Sequence, residues 1–302
     1  MSRYYGHGKL LLTAEYAVLD GAKALAIPTQ KGQSLEIQEY DREELFWKSY
    51  DHKGQLWFKD QLLWKDEAFR SQSQTATGKR LEQLLNAIIT LKPGFHDKAL
   101  GQQAITHLEF PANWGLGSSS TLVVNLASWA QVNPYELLEA SFGGSGYDLA
   151  CAKAESPILY TRNRFEPQVE SVSLNWNFTD RLWFVHLNEK KNSREAISHY
   201  RSQSVSQKEQ LILEVNDLTQ QFLEAKTLEQ LETAIDRHEV LLSRVLGLPP
   251  IKEKRFKDFR GSIKSLGGWG GDFVLATDPG DAEAYFRDKG YPTICAFSDM
   301  IL

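Results

Sequence analysis

Between residues 111 and 121 the chain reads Pro-Ala-Asn-Trp-Gly-Leu-Gly-Ser-Ser-Ser-Thr, where an apolar strand pattern gives way to an amphipathic helix. Glycines let backbone approach a ligand closely, and the first N–H groups of a helix lack intrahelical partners. Gly115, Leu116, Gly117, Ser118, Ser119 and Ser120 therefore form a candidate phosphate cradle at the positive end of a helix dipole. The three hydroxyls add donors and candidate Mg²⁺ ligands. The segment is neither GxxxxGK[ST] nor GxGxxG, and a serine-capped helix after a glycine turn fits the same spacing. Lys9 precedes Leu10, Leu11 and Leu12, where an ammonium must either reach solvent or meet an anion. Gly143-Gly144-Ser145-Gly146-Tyr147-Asp148 presents one carboxylate after a glycine-rich turn, which a helix N-cap also explains. Gly267-Gly268-Trp269-Gly270-Gly271-Asp272 leads into a strand and marks a tight turn or a close backbone approach.

The elements that must hold these residues follow from periodicity. Residues 33–38 alternate polar and apolar, and Leu45-Phe46-Trp47 and Leu56-Trp57-Phe58 flank Asp51-His52-Lys53-Gly54, a hairpin signal. The polar stretch 71–78 is an expected exposed loop. Leu81, Leu84, Leu85, Ile88 and Ile89 keep helical spacing until Pro93-Gly94. A strand over 105–110 runs through the glycine-serine loop into a helix with Leu122, Val123, Leu126, Trp129 and Ala130 on one face. Further on, the pattern predicts a buried strand over 182–187, helices over 205–225 and 228–246 with Pro249-Pro250 closing the second, a strand over 272–276, a helix from about Asp278 and a strand over 293–297. Strands mixed with helices, without strict alternation, predict an α+β fold. The polar stretch Thr161-Arg162-Asn163-Arg164 suggests two domains, residues 1–165 and 166–302.

With 302 residues, 42% hydrophobic and 24% charged, the composition excludes disordered and fibrous classes. Its 34 basic and 39 acidic residues give a net charge of −5, and the basic ones form no stripe, which argues against nucleic acid as a partner. No apolar run approaches the ~20 residues of a membrane span, and no secretory pattern opens the sequence. Cys151 and Cys295 are too few for a disulfide framework, which favours a cytoplasmic location. None of the seven histidines has zinc-ligand spacing to another His or to Cys.

Taken together, the four segments resemble the motifs of the GHMP kinase superfamily. GHGKLLLTAEYAVLDGAKALAIP is similar to its first motif, PANWGLGSSS to its phosphate loop, SGYDLA to its Ser-Gly-x-Asp motif and GGWGGDF to its C-terminal glycine motif. The likeness runs from residue 6 to about 276 and is strongest to the mevalonate-pathway kinases, with Gly-Tyr-Asp-Leu-Ala resembling a bacterial Gly-Tyr-Asp-Ile-Ala subgroup. It implies an N-terminal domain like domain 2 of ribosomal protein S5, a C-terminal ferredoxin-like domain and an active site in the cleft between them.

The resemblance further implies ATP and Mg²⁺ as cofactors, and transfer of the γ-phosphate to a small acidic metabolite in isoprenoid precursor synthesis. Mevalonate is the first candidate acceptor and phosphomevalonate the alternative. A diphosphomevalonate decarboxylase or a non-catalytic sensor on the same fold are lesser readings, and a homodimer is left open. By matched position Lys9 and Asp148 are the catalytic pair, residues 115–120 the triphosphate cradle, and Ser119 a Mg²⁺ ligand; Glu136 and Glu139 bracket the place of an acidic partner about a dozen residues before Asp148, with Glu139 the candidate. Glu15, Tyr16, Ser145, Gly146, Gly270 and Gly271 fall to the substrate. A contact between Lys9 and Asp148 would resolve the cost of a lysine beside three leucines. Lys190, Lys191 and Arg194 are candidates for an acidic acceptor. The chain departs from the pattern at His7, Ala14, Trp114, Trp269 and Asp272. The two tryptophans are expected to stack on a ligand or to pack on each other.

Overall fold

The computed structural model describes residues 1–189, 198, 200–267, 269 and 271–302. Gly270, Lys190, Lys191 and Arg194 lie outside them. The first part of the chain forms one sheet of eight strands: β1 (Ser2–Leu11), β2 (Ala24–Glu39), β3 (Leu45–Tyr50), β4 (Leu56–Lys65), β5 (Ala68–Ser71), β6 (Gln102–Leu108), β7 (Ile158–Thr161) and β8 (Gln168–Ser171). Their order is β5-β4-β3-β6-β2-β7-β8, with β1 also paired to the long β2. The β3–β4 hairpin falls where the sequence places it, and β3 runs parallel to β6. The chain between β7 and β8 contains residue 165, so the last hairpin of this sheet straddles the expected boundary.

Helices α1 (Ala76–Leu91), α2 (Phe95–Ala99), α3 (Ser118–Ala130), α4 (Pro134–Ser141) and α5 (Tyr147–Lys153) accompany this sheet. Leu81, Leu84, Leu85 and Ile88 of α1 are buried, as their spacing predicts, and Val123, Leu126 and Trp129 of α3 join them in one core. The 71–78 stretch differs from expectation. Asp60 is buried and collects the hydroxyls of Ser71 and Ser73, which draws Ser71 into the protein, and Thr75 caps α1 three residues before the expected loop ends.

The second sheet has four antiparallel strands in the order β10-β11-β9-β12: β9 (Leu182–His186), β10 (Ile263–Ser265), β11 (Phe273–Thr277) and β12 (Ile294–Ala296). It is accompanied by α6 (Val205–Glu224), α7 (Leu228–Leu246), α8 (Ile251–Arg255), α9 (Ala282–Asp288) and α10 (Phe297–Met300). Ser204 and Gln207 form a capping box at the start of α6. Gly247, left-handed at φ 64°, ends α7, so Pro249-Pro250 are not its stop signal. No helix among the described residues is long and apolar enough to cross a membrane.

Two apolar clusters join the halves. Leu10, Leu12, Leu25, Ile27 and Leu116 from the first sheet and its loops pack with Phe184, Phe273, Leu275 and Phe297 from the second part. Ala14, Tyr16 and Cys151 pack with Leu218, Leu241 and Trp269. Buried apolar packing thus continues across the junction, and residues of the four motif segments lie along it.

Candidate active site

The loop over residues 115–120, the candidate phosphate cradle, is shaped by its glycines. Gly115 and Gly117 adopt φ values of 66° and 90°, a left-handed region that favours glycine. The first intrahelical bond of α3 runs from Thr121 N–H to the Gly117 carbonyl at 3.0 Å, and Gly117 gives no side-chain cap. The amides of Ser118, Ser119 and Ser120 therefore precede the helical ladder, as an anion cradle requires. Ser119 is exposed and its hydroxyl makes no hydrogen bond among the described residues, so it is available to a ligand.

β1 brings Lys9 to this loop. A register shift between His7 and Lys9 interrupts the β1–β2 pairing, which re-aims the side chain. The Lys9 N–H donates to the Leu116 carbonyl at 3.0 Å, and its ammonium donates to the Gly115 carbonyl at 3.0 Å. Burial pulls the Lys9 pKa down, but Tyr147, Asp148 and Asp272 outweigh it and hold the pKa above the ordinary lysine value. The ammonium also lies 5.6 Å from the centre of the Tyr147 ring.

Asp148 is half-buried in the first turn of α5, and its carboxylate accepts from the Ser120 hydroxyl and from Leu149 N–H at 3.2 Å. The expected Lys9–Asp148 contact is not formed: no ion pair joins them among the described residues, because Ser120 engages the carboxylate and Gly115 the ammonium. They still sense each other electrostatically. Gly146, buried at φ 84°, lets the preceding turn pass under Tyr160, whose hydroxyl donates to the Ser145 carbonyl at 2.6 Å.

The first-motif carboxylate has a different setting from that of a substrate group. Glu15 is buried, and its carboxylate bonds to the ammonium of Lys264, a side chain with no exposure on β10. Lys264 also lies 3.2 Å from Glu239 Oε1 of α7, and Glu239 accepts from the amide and hydroxyl of Ser265. The buried His238 ring accepts the Ala14 N–H at Nε2, 3.2 Å away, which leaves its proton on Nδ1. Burial, with Lys264 adding to it, keeps that imidazole neutral. Burial raises the Glu15 carboxyl from its ordinary 4.5 to about 7, against the pull of Lys264. Ala14 and Tyr16 both have positive φ, at 68° and 63°, so this network holds a kinked backbone. The Tyr16 hydroxyl is buried without a hydrogen-bond partner among the described residues.

Glu139 is exposed on α4, with no hydrogen bond or ion pair to the other candidates among the described residues. Gly271 is buried at the start of the β11 segment. The tryptophans do not meet each other: Trp114 sets its edge against Phe273 at 5.4 Å and lies 6.2 Å from His186, whereas Trp269 is buried beside the first-motif residues. Trp114 thus anchors the phosphate loop to the second sheet.

A cavity of about 340 Å³ opens beside the cradle, lined by Ser118 and Ser119 on one side and by Trp57, Phe58, Arg80 and Phe142 on others. It is apolar and aromatic, of a size for a flat heterocycle. Sequence reading missed it because its walls come from β2, β3, β4, β6, α1 and α3, with Phe142 just after α4, and no local pattern announces that these segments meet. A larger groove, about 610 Å³ between α6 and α7, contains none of the motif residues.

No family model matches the chain, and no curated protein matches it significantly in sequence. Solved structures do match it. The mevalonate kinase of Methanococcus jannaschii superposes with a TM-score of 0.68 at 14% identity, covering 97% of this chain and 96% of its own. The Streptococcus pneumoniae phosphomevalonate kinase, solved with phosphomevalonate and AMPPNP, gives 0.68 at 18%, covering 96% of each. The Lactococcus lactis galactokinase, solved with galactose, gives 0.69 at 14%, covering 99% and 93%.

Proposed function

We propose that this chain, which has the fold of the GHMP kinases, is an ATP-dependent kinase that phosphorylates a hydroxyl group of a small acidic metabolite. The observation that carries the reading is the convergence of Lys9, the residue 115–120 loop and Asp148, from three separate segments, beside an aromatic cavity. The residues present fit Mg·ATP: free helix amides and an exposed serine face the polyphosphate position, and the cavity matches a nucleobase. Bound Mg·ATP supplies the γ-phosphoryl group and the cation that neutralises its charge. Among the described residues no group of three or more His, Cys, Asp or Glu side chains could hold a cation, and Ser119 would be the side chain that meets it when it arrives with the nucleotide.

Asp148 orients the acceptor hydroxyl and takes its proton as the oxygen bonds to the γ-phosphorus and the bond to the β-phosphate oxygen breaks, releasing ADP. Lys9 and the amides of Ser118 to Ser120 stabilise the negative charge on the transferring group. Ser120 fixes the rotamer of Asp148. An acceptor that must lose a proton suits this carboxylate, which favours mevalonate over phosphomevalonate, whose accepting oxygen is already anionic. Carried over by position, Ser119 meets the cation and Tyr16 and Ser145 border the acceptor.

The test is ADP release with Mg·ATP and mevalonate, phosphomevalonate, galactose, homoserine or no acceptor. Mevalonate is expected to support turnover, and Asp148→Ala to lower it at least ~100-fold with nucleotide affinity retained. ADP release with phosphomevalonate alone would move the acceptor one step along, and release with none would refute the reading.

A further inference from the structure

Lys9 stays at the loop although the carboxylate expected to pair with it is engaged by Ser120. Its ammonium donates to the Gly115 carbonyl at 3.0 Å. Its stem runs along Gly117, where an added methyl group would come within 3.3 Å of Lys9 Cγ and Cε. A further contact is aromatic: the ammonium lies 5.6 Å from the centre of the Tyr147 ring, inside the ~6 Å over which a ring face attracts a cation. The two side chains also shift each other's titration, as close neighbours do.

Tyr147 is itself held in place. Gly146 before it is left-handed at φ 84°, and a methyl group there would come within 2.9 Å of the Tyr160 hydroxyl and 3.1 Å of the Tyr135 ring. Tyr147 packs against the buried cluster that contains Ala14, Tyr16 and Cys151. The first turn of α5 thus presents Tyr147 to Lys9 and, one residue later, Asp148 to Ser120. A lysine stem is flexible, so a single hydrogen bond to Gly115 leaves the ammonium free to swing toward the Asp148 carboxylate unless another contact restrains it. We propose, building on the kinase reading, that Tyr147 is a positioning residue for phosphoryl transfer. Its ring holds the Lys9 ammonium on the phosphate loop, where the transferring group passes, and off the Asp148 carboxylate, which stays open to the acceptor proton.

The full chain is compared with Tyr147→Phe, which keeps the ring, and Tyr147→Leu, which removes it; Tyr147→Met takes the place of the Leu variant if that does not fold. With saturating Mg·ATP and the acceptor that supports turnover, Tyr147→Leu is expected to lower kcat about tenfold and Tyr147→Phe less than about threefold, with the Kd for Mg·ATP within about threefold of the parent in both. In a Lys9→Met background, where no ammonium is left to hold, Tyr147→Leu should cost less than about threefold. A loss of the same size with and without Lys9 would show a merely structural role and overturn the proposal, as would parent-like turnover in Tyr147→Leu or an equal loss in Tyr147→Phe. A second measurement reads the contact without turnover. In chain carrying isotope-labelled lysine, the Lys9 ε-methylene NMR signal, identified by its disappearance in Lys9→Met, should lie upfield in the parent and in Tyr147→Phe and move downfield in Tyr147→Leu. A signal that does not move overturns the proposal whatever the kinetics, and decides the matter if Lys9→Met is too slow to assay. A parent that shows the ring shift but phosphorylates none of the acceptors refutes the kinase reading, and the positioning role with it.

Discussion

Replacing Lys264 by methionine removes the cation that pairs with two buried carboxylates, Glu15 and Glu239. Lys264 and Glu15 are 0% and 2% exposed in their side chains, and Glu239 is 5%. Leaving buried charge uncompensated costs about 3–5 kcal/mol. For a chain of this length, unfolding entropy is about 0.6 kcal/mol per degree, so the loss corresponds to ~5–8 °C in Tm. The penalty depends on pH in a defined direction. Burial already raises the Glu15 carboxyl to about 7, and burial also raises Glu239. A carboxyl whose folded pKa lies above its unfolded one stabilises the fold below the unfolded value and loses that contribution as pH climbs through the folded one. Without Lys264 both carboxyls are raised further, so the Glu15 carboxyl is protonated at pH 5 and needs no cation there. The Lys264→Met chain should therefore melt ~5–8 °C below the parent at pH 8 and within ~3 °C of it at pH 5. Calorimetry at the two pH values, with Lys264→Met/Glu15→Gln expected to recover part of the pH 8 loss, measures this directly. An equal shift at both pH values, or one below ~2 °C at pH 8, would refute the reasoning.

Two further outcomes probe the cradle and the cavity. Ser120→Ala should reduce turnover about tenfold or more, by freeing the Asp148 rotamer, while ATP affinity measured by titration changes less than about threefold. Trp57→Ala should do the reverse, weakening ATP binding about tenfold with little change in turnover at saturating nucleotide, because an aromatic contact with a base is worth ~1–3 kcal/mol.

Local features were the legible ones. The phosphate loop, its helix and the face of α3 were visible because a glycine-serine turn followed by 3.6-residue periodicity is encoded within twenty neighbouring positions. The Glu15–Lys264–Glu239 cluster was not, since its partners are 249 residues apart and a lone lysine between Ile263 and Ser265 reads as an ordinary strand residue. The first-motif resemblance implies a substrate role for Glu15, whereas its buried carboxylate bonds to Lys264. Glu139, which only brackets the expected position of an acidic partner for Ser119, is exposed on α4. Asp272 was visible as a departure, whereas the closeness of its carboxylate to Gly115 depended on two sheets meeting. Gly247 ended α7 ahead of two prolines that had seemed the stronger signal, because a left-handed glycine satisfies the terminal carbonyls directly.

The apolar clusters that join the two sheets bear on how such a chain can change over generations. Leu116 of the phosphate loop shares a core with Phe273, and Ala14 and Tyr16 share another with Trp269. Neither half is a transferable module. A recombination event that exchanged only the second half would have to import the cation for Glu15 and a matching surface for Trp114 in the same step. A lineage built this way is expected to change by single substitutions, with the two halves inherited together.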